Sequence, residues 1–257
     1  MLFSILIPAF NEEHYLPETL STTREALEKV LPDHNEWEII VCDNNSSDRT
    51  AEMARTLGAT VVFEPVNQIA RARNTAARAA SGEWLIFLDA DTHPNSGLLQ
   101  EIMAGIRNFP LVGFGSTIRV IRGSLFNRLR LERLNFLYRL FQMSGGAFLG
   151  CRRSAFEAIG GFGEQYYAIE ELDFLLRLKK FGRKTGQRFN VFYHHPVLTS
   201  GRKGEMSGRA MFRLFVSNVL AVLLVLFQWA LPRRWVHFMG QRWLTYWYSG
   251  QRNTPDD

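Results

Sequence analysis

Cysteine is scarce in this sequence: among 257 residues there are two, Cys42 and Cys151. They lie far apart and form no CxxC unit, which argues against a disulfide framework and against a structural zinc site. Such usage is typical of a reducing compartment, so we predict a cytoplasmic protein.

Other absences bound the architecture. The N-terminal segment has no basic start, and its apolar run ends at Pro8, which favours a first strand over a signal peptide. No internal repeat and no low-complexity tract occur. The excess of 30 Lys+Arg over 25 Asp+Glu gives a net charge of +5, which by itself selects no class of partner.

Short apolar strands alternate with helices in the first ninety residues. The pattern predicts strands at 2–7, 38–42, 60–63 and 84–88, with helices at 12–30, 51–57 and 68–80 between them. This order predicts an α/β fold with a mostly parallel sheet and helices on both faces. Ligands of such sheets bind beyond the carboxyl ends of the strands, so we expect 8–12, 43–48 and 89–91 to meet at one rim.

The second half is less regular. We predict a strand at 111–121, a helix rich in Leu, Phe and Arg at 124–143, an amphipathic helix at 169–181 and a strand at 189–195.

Two carboxylates, Asp89 and Asp91, follow the fourth strand in "FLDADTHP". Asp is common in turns and caps, which is the structural alternative. The functional interpretation is a hard divalent cation, Mg²⁺ or Mn²⁺, held by one or two carboxylates together with substrate phosphates. The position of both acids on the ligand rim favours this second interpretation.

Three further charged residues point to the same rim. Asp43 follows the second strand, where it could cap a helix or accept a hydrogen bond from a nucleobase N–H. Arg71 and Arg73 fall near the start of the third helix, where cations oppose the helix dipole. Unless these arginines are simply solvated, a nearby phosphate or the acids of the rim would explain them.

Four stretches together resemble family-2 glycosyltransferases of the GT-A fold: "SILIPAFNEE", "IIVCDNNSSDRT", "ARNTAARAASGEWLIFLDADT" and "GGF…IEELDFLLRLKKFG". The resemblance covers roughly residues 2–200. It implies a nucleotide-diphosphate sugar donor, a hydroxyl acceptor and no nucleic-acid partner. It also implies a GT-A domain at 1–205, with a nucleotide-binding half at about 1–110 and an acceptor half at about 111–205.

The resemblance also implies roles for single residues. The donor nucleotide would contact the opening loop, the segment after the second strand and the arginine element; these positions are Pro8, Phe10, Glu12, Asp43, Asn44, Arg71 and Arg73. Asp89 would contact the ribose side and also the metal, and Asp91 the metal. Some GT-A enzymes recruit a late histidine, for which we take His195, with His194 as the alternative.

The family's acidic pair corresponds to Glu170-Glu171-Leu172-Asp173 here, with glutamate where aspartate is usual. We take Glu171 as the general base, and we expect partial burial to raise its pKa. Glu170 and Asp173 complete the catalytic motif, and together with Arg177 their spacing predicts a salt-linked row on the surface.

The C-terminal region, 206–257, is predicted to be a helical and membrane-associated tail. No charged residue lies between Arg213 and Arg233, and several tryptophans follow. Whether 214–231 spans the membrane, lies on it or is buried stays open. The preceding basic loop, 200–209, could close over phosphates or simply be solvated.

These observations predict a metal-dependent inverting glycosyltransferase at the cytoplasmic face of a membrane. The acceptor could be lipid-linked or a cell-envelope glycan. The alternatives are a membrane-bound nucleotide-binding scaffold without activity and a sugar nucleotidyltransferase. The latter would need a glycine-rich basic loop after the first strand, where this chain has Pro8–Glu12. A dehydrogenase is disfavoured because no GxGxxG follows that strand.

Overall fold

A computed structural model describes residues 1–121, 125–165 and 170–200. The predicted tail at 206–257 and nearly all of the loop at 200–209 lie outside the described residues. Within these ranges the strands are β1 (Phe3–Ala9), β2 (Trp37–Asp43), β3 (Thr60–Phe63), β4 (Trp84–Leu88), β5 (Thr92–His93), β6 (Leu111–Val120), β7 (Phe148–Arg152) and β8 (Arg188–Thr199). The helices are α1 (Leu16–Val30), α2 (Thr50–Thr56), α3 (Ile69–Ala79), α4 (Ser96–Asn108), α5 (Leu125–Phe141), α6 (Arg153–Ile159) and α7 (Glu170–Lys184).

The strands form one eight-stranded sheet in the order β3-β2-β1-β4-β7-β6-β8-β5. The first four strands are parallel, as the alternating pattern predicts. The expectation of a mostly parallel sheet holds for six of the eight strands, since β6 and β8 are parallel to each other and run in the direction of β4. The exceptions are β7, which runs antiparallel to both β4 and β6, and β5, which runs antiparallel to β8. The described fold is therefore an α/β fold with a mixed sheet.

The reversal at β7 has a simple geometric cause. β6 is parallel to β8, and both end at the edge where β4 ends, because β7 pairs antiparallel with β4 and with β6. Helix α5 therefore begins and ends near this same edge instead of returning the chain to the opposite one. The strand that follows it must enter from the ligand rim and run away from it.

Hydrophobic side chains fill both faces of the sheet. One face packs against α1 and α4 through residues such as Ile5, Ile7 and Ile86. The other packs against α3 and α7, where alanines of α3 allow a close approach to Leu6 and Phe87.

An aromatic cluster fixes the start of α7 against β4. The rings of Phe162 and Phe174 stack with centroids 4.2 Å apart, and Phe87 of β4 meets Phe162 edge-on at 4.9 Å. Aromatic pairs at such distances add to the stabilisation from burial. The cluster thus holds the acidic N-terminus of α7 beside the carboxyl end of β4.

Candidate functional site

The carboxyl ends of β1, β2 and β4 form one rim. Asp43 lies opposite Ala9 in the β1–β2 ladder, and the backbone N–H of Asn44 donates to the carbonyl of Ala9 at 2.8 Å. Beyond the strands, the N–H of Asn11 donates to Ser46 Oγ at 3.0 Å. The loops after β1 and β2 are therefore bound to each other.

Asparagines make the turns of these two loops. Asn11 and Asn45 adopt left-handed backbone conformations with φ of 53° and 64°, a region in which Asn is tolerated better than most residues. The resulting turn buries Asp43, whose Oδ1 accepts a hydrogen bond from the Ser46 N–H at 3.1 Å. Asp43 remains at the bottom of the rim between the two loops.

The side chain of Asn44 is occupied by structural contacts. Its Nδ2 donates to the carbonyls of Glu64 and Val66, and its Oδ1 accepts from the N–H of Gln68 at 2.9 Å. These bonds hold the β3–α3 loop, so the side chain of Asn44 shapes this edge of the rim through structural contacts.

The opening loop contributes Pro8, Phe10 and Glu12. Pro8 lies within β1 opposite Cys42, while Phe10 and Glu12 are half-buried after the strand. The N–H of Glu12 donates to Thr50 Oγ1 at 2.8 Å, and its carbonyl accepts from the first turn of α1. The loop thus lies beside Asp43 with its backbone fixed on both sides.

Arg73 of α3 is the centre of a buried charge cluster. Its side chain is 1% exposed and its Nη1 lies 2.7 Å from Glu170 Oε1 and 3.5 Å from Glu171 Oε1. Its Nη2 lies 3.4 Å from Asp89 Oδ1 and 3.3 Å from the carbonyl oxygen of Gly146. A single guanidinium therefore joins the acid after β4 to the acidic pair of α7.

The helical pattern predicted Glu170 on the surface, but the structure buries it. It is 2% exposed and paired with Arg73, because it stands four residues before the buried Phe174 and shares its face of α7. Burial, followed by the nearby charge of Glu171, raises the pKa of Glu170 to about 8. Arg73 opposes this increase without cancelling it.

Glu171 is the accessible member of the acidic pair, with 25% of its side chain exposed. Its carboxylate occupies space beside Gly146, where a Cβ atom would overlap Glu171 Oε1. Tyr138 of α5 lies on the same side; burial and then the charge of Glu171 raise its pKa to about 12. Glu171 therefore faces a space bordered by α5 and the glycine loop.

Asp173 has a structural environment. It is buried and accepts bonds from Arg177 at 2.6 and 2.8 Å, which confirms the salt link but not its placement on the surface. Nη1 of Arg177 also donates to the carbonyls of Ile159 and Gly161, each at 2.8 Å. The pair therefore ties α7 to the C-terminal end of α6.

Sequence comparison identifies the family. The profile of Glycosyl transferase family 2 matches residues 4–160, which is more than half of the chain. This chain belongs to glycosyl transferase family 2. It is therefore a glycosyltransferase by family, and the resemblance seen in its motifs is confirmed.

Curated relatives of this glycosyltransferase are distant. An uncharacterized glycosyltransferase of Haemophilus influenzae is 24% identical over 190 residues, covering 69% of this chain and 62% of that protein. An undecaprenyl-phosphate 4-deoxy-4-formamido-L-arabinose transferase of Pectobacterium carotovorum is 29% identical over 163 residues, covering 60% of this chain and 48% of that protein. The chain thus spans less than two thirds of the length of these relatives.

Solved structures support the GT-A fold of the glycosyltransferase. Residues 1–349 of Staphylococcus aureus TarS with UDP-GlcNAc superpose with a TM-score of 0.60 at 21% identity, covering 97% of this chain and 73% of that one. A mannosyltransferase of Pyrobaculum calidifontis with GDP-Man and Mn²⁺ gives 0.65 at 16% identity, covering 96% and 75%. At these identities the likeness concerns the fold.

The two aspartates after β4 have different surroundings in this glycosyltransferase. The N–H of Asp89 donates to the Ala147 carbonyl at 3.1 Å, and its side chain is partly exposed beside Arg73. Asp91 is buried, and its Oδ2 accepts a hydrogen bond from Ser200 Oγ at 2.6 Å. Both supply the hard oxygen donors that Mg²⁺ and Mn²⁺ prefer.

The donor set fits a metal that shares its coordination with substrate phosphates. In the described ranges, no three His, Cys, Asp or Glu side chains cluster with metal-ligand geometry. Two carboxylates completed by phosphate oxygens are the usual arrangement for Mg²⁺. Asp89 and Asp91 would be the protein ligands.

The structure pairs His195, predicted as a third metal ligand, with a residue of α4. Its ring is 52% exposed, and Nδ1 lies 2.8 Å from Glu101 Oε1 of α4. Ser200, which contacts Asp91, lies five residues further along, roughly 15 Å at the rise of a strand. Alternation along β8 predicts the face on which a residue lies, but not its distance from the rim. The alternative, His194, is exposed, and its ring lies tilted against that of Tyr193 with the centroids 4.3 Å apart.

Arg71 lies at the edge of the site. Its Nε is 3.1 Å from Glu64 Oε1 and its Nη1 is 3.0 Å from Glu164 Oε2. It therefore joins the loop before α3 to the loop before α7. Glu64 and Glu164 carry no motif signal in the sequence, and only the fold brings them to Arg71.

Sequence reasoning missed Gly146 and Tyr138 as neighbours of the acids, and it considered Ser200 only as the first residue of a loop that could close over phosphates. The doubled glycine at 145–146 was the available signal for a close backbone approach.

No helix of the described ranges combines the length and hydropathy needed to cross a bilayer.

Proposed function

We propose that this chain is a metal-dependent, inverting glycosyltransferase that moves a sugar from a nucleoside-diphosphate sugar to an acceptor hydroxyl. The observation that carries the proposal is the Arg73 cluster, in which one buried cation contacts Asp89 on the donor side and Glu170 and Glu171 on the acceptor side. Interacting charges gathered at the carboxyl ends of the strands of an α/β sheet mark a candidate functional site, because ligands of such sheets bind there.

The donor binds across the ends of β1, β2 and β4. Asp43, buried between two loops, accepts a hydrogen bond from a ring N–H of the nucleobase. Pro8, Phe10 and Glu12 border the base, and Asp89 faces the ribose side. Arg71, 35% exposed, adds positive charge at the edge of this surface.

Asp89 and Asp91 would hold Mg²⁺ or Mn²⁺. When bound, the ion supplies positive charge that stabilises the departing nucleoside diphosphate. The hydrogen bond from Ser200 fixes Asp91 and its carboxylate orientation before any ligand arrives.

Glu171 acts as the general base. It accepts the proton of the acceptor hydroxyl, whose oxygen attacks the anomeric carbon on the face opposite the nucleotide. The bond from that carbon to the diphosphate oxygen breaks, and the configuration inverts. Arg73 holds Glu171 and Asp89 in a fixed relation, so much of the rate enhancement comes from positioning.

The acceptor in this proposal is lipid-linked or a cell-envelope glycan, and the protein works at the cytoplasmic face of a membrane. The support is that relatives bear names such as UDP-Glc:alpha-D-GlcNAc-diphosphoundecaprenol beta-1,3-glucosyltransferase, from Escherichia coli, which is 33% identical over 94 residues. That match covers 35% of this chain and 35% of that protein.

The test is a calorimetric binding screen of UDP, GDP, CDP and ADP with and without Mn²⁺. We expect one nucleotide to bind, with a clear gain in affinity from Mn²⁺. Asp91→Asn should remove that gain, whereas Asp33→Asn, an exposed aspartate before β2, should not. Equal affinity with and without the metal in the parent protein would refute the metal-dependent mechanism. Binding without transfer to any acceptor would favour the inactive scaffold.

A further inference from the structure

Helix α5 carries the largest exposed apolar surface of the described chain on one element. Leu129, Phe136 and Leu140 are each 56–61% exposed, and Leu137 and Phe141 extend this surface. With Arg133, the positions 129, 133, 136 and 140 recur at spacings of three and four residues and lie on one side of the helix. We call this side, with Leu137 and Phe141, the outer face of α5.

The opposite side of α5 is bound firmly to the domain. Asn135 is buried and makes two hydrogen bonds to the backbone of Ile118 in β6, at 2.8 and 2.9 Å. Tyr138 is partly buried near Gly145, on the side of Glu171. Because these contacts fix the rotation of the helix, the exposure of the outer face is a property of the fold.

The charge around this face is positive. Helix α5 contains four arginines and one glutamate, and Arg133 lies within the apolar stripe itself. Lys179 of α7 donates to the carbonyl oxygens of Phe141 and Gln142, and Lys180 and Arg183 of the same helix are exposed. An apolar stripe bordered by cations is complementary to an anionic lipid surface, whose acyl region takes the apolar groups and whose headgroups take the charges.

We propose that the outer face of α5 docks on the surface of an anionic lipid bilayer. The docking deepens the membrane location in the proposed function and does not depend on the transferase activity; only its consequence for the acceptor rests on that activity. The segment after α5 reaches the site directly, since the carbonyls of Gly146 and Ala147 accept bonds from Arg73 and Asp89. A docked α5 therefore leaves Glu171 on the far side of the helix, about 10 Å from the lipid surface, which the extended head of a lipid-borne acceptor could span.

The experiment measures the polarity around one labelled position in the full-length chain, by the emission wavelength of a fluorophore. Phe136→Cys is labelled with an environment-sensitive fluorophore, and Phe63→Cys on β3 is the matched control, since the two phenylalanines are 61% and 57% exposed. Labelling is selective because Cys42 and Cys151 are buried, which raises the pKa of both thiols, that of Cys42 to about 12.

With vesicles of phosphatidylcholine and phosphatidylglycerol, we expect the emission at position 136 to shift to shorter wavelength while that at position 63 stays constant. The shift should weaken with salt and with pure phosphatidylcholine vesicles. Leu129→Ser together with Leu140→Ser, in the chain labelled at 136, should weaken partition about tenfold.

Four results would overturn the proposal. They are no shift at 136, an equal shift at both positions, a shift that depends on protein concentration in buffer, and an apolar environment at 136 already in dilute buffer. The third would indicate a second copy on the face, and the fourth a cover formed by this chain itself. Because the readout needs no turnover, its failure is distinct from a failure of the proposed transferase activity.

Discussion

Replacing Arg73 by Met tests the charge cluster most directly. The substitution keeps a long side chain in a position that is 1% exposed but removes the cation shared by Asp89, Glu170 and Glu171. Glu170 then stays buried without its partner at 2.7 Å. Breaking a buried ion pair by removing one partner costs about 3–5 kcal/mol. We expect a loss of unfolding free energy in that range near pH 9, where Glu170 is charged in the parent protein, and a smaller loss at lower pH.

The pH dependence of this loss follows from the pKa of Glu170. Its pKa rises from 4.5 to about 8 in the folded protein, so between these values the folded state keeps a proton that the unfolded state releases. Its contribution to stability is therefore full below pH 4.5 and is lost as pH rises through about 8. The difference in pKa corresponds to about 5 kcal/mol over the whole range, at about 1.4 kcal/mol per unit.

Removing Arg73 removes an influence that lowers this pKa, so in Arg73→Met the pKa should rise further. The destabilisation should then be larger near pH 9 than near pH 6, because the variant continues to lose stability above the pH at which the parent levels off. Glu170→Gln in the same chain should remove this pH dependence and recover part of the lost stability, since the glutamine has no charge to bury.

The assay is urea unfolding followed by circular dichroism at several pH values. Arg78→Met is the matched control, because Arg78 lies on the same helix, is exposed and donates a single hydrogen bond, to Thr75, within the described part of the chain. If Arg73→Met unfolded at the same urea concentration as Arg78→Met near pH 6 and near pH 9, the cluster would contribute nothing to the free energy of unfolding. That result would refute the reasoning.

Two further predictions concern the acceptor side of the site. Glu171→Gln should leave donor nucleotide affinity unchanged in calorimetry and reduce the transfer rate by about 10²–10⁴, the usual contribution of a general base; a variant with parental turnover would end this assignment. Gly146→Ala should lower kcat and also lower the urea concentration of unfolding, because the added Cβ displaces the carboxylate of Glu171 and the buried guanidinium of Arg73 from their observed positions. Unchanged kcat in this variant would show that neither side chain needs its observed position.

The first half of the fold followed from the sequence because its signals are local. Continuous apolar strands separated by amphipathic helices predict parallel pairing, and parallel pairing brings the loops after β1, β2 and β4 together. The direction of β7 was not predictable in this way. It depends on the edge of the sheet at which α5 ends, because β7 starts from that edge. No periodicity within 124–143 encodes this position.

The acidic motif shows the same limit. The spacing of Phe174 and Leu178 defined the buried face of α7, and Glu170 lies on that face at a spacing of four residues. The sequence interpretation placed Glu170 on the surface because its spacing from Asp173 and Arg177 predicted a salt-linked row there. The partner, Arg73, stands 97 residues earlier in the chain, and only the packing of α3 beside α7 reveals it.

A perturbed pKa usually marks a functional group, which would favour Glu170 over Glu171 as the base. The geometry of the cluster argues for the opposite assignment. A general base must come within about 2.6–3.2 Å of the acceptor hydroxyl, and Glu170 is 2% exposed with one oxygen held by Arg73. Glu171 is 25% exposed beside a glycine whose missing side chain leaves room for its carboxylate. The raised pKa of Glu170 therefore results mainly from its burial. We infer that Glu170 positions Arg73, whose guanidinium in turn contacts both Asp89 and Glu171.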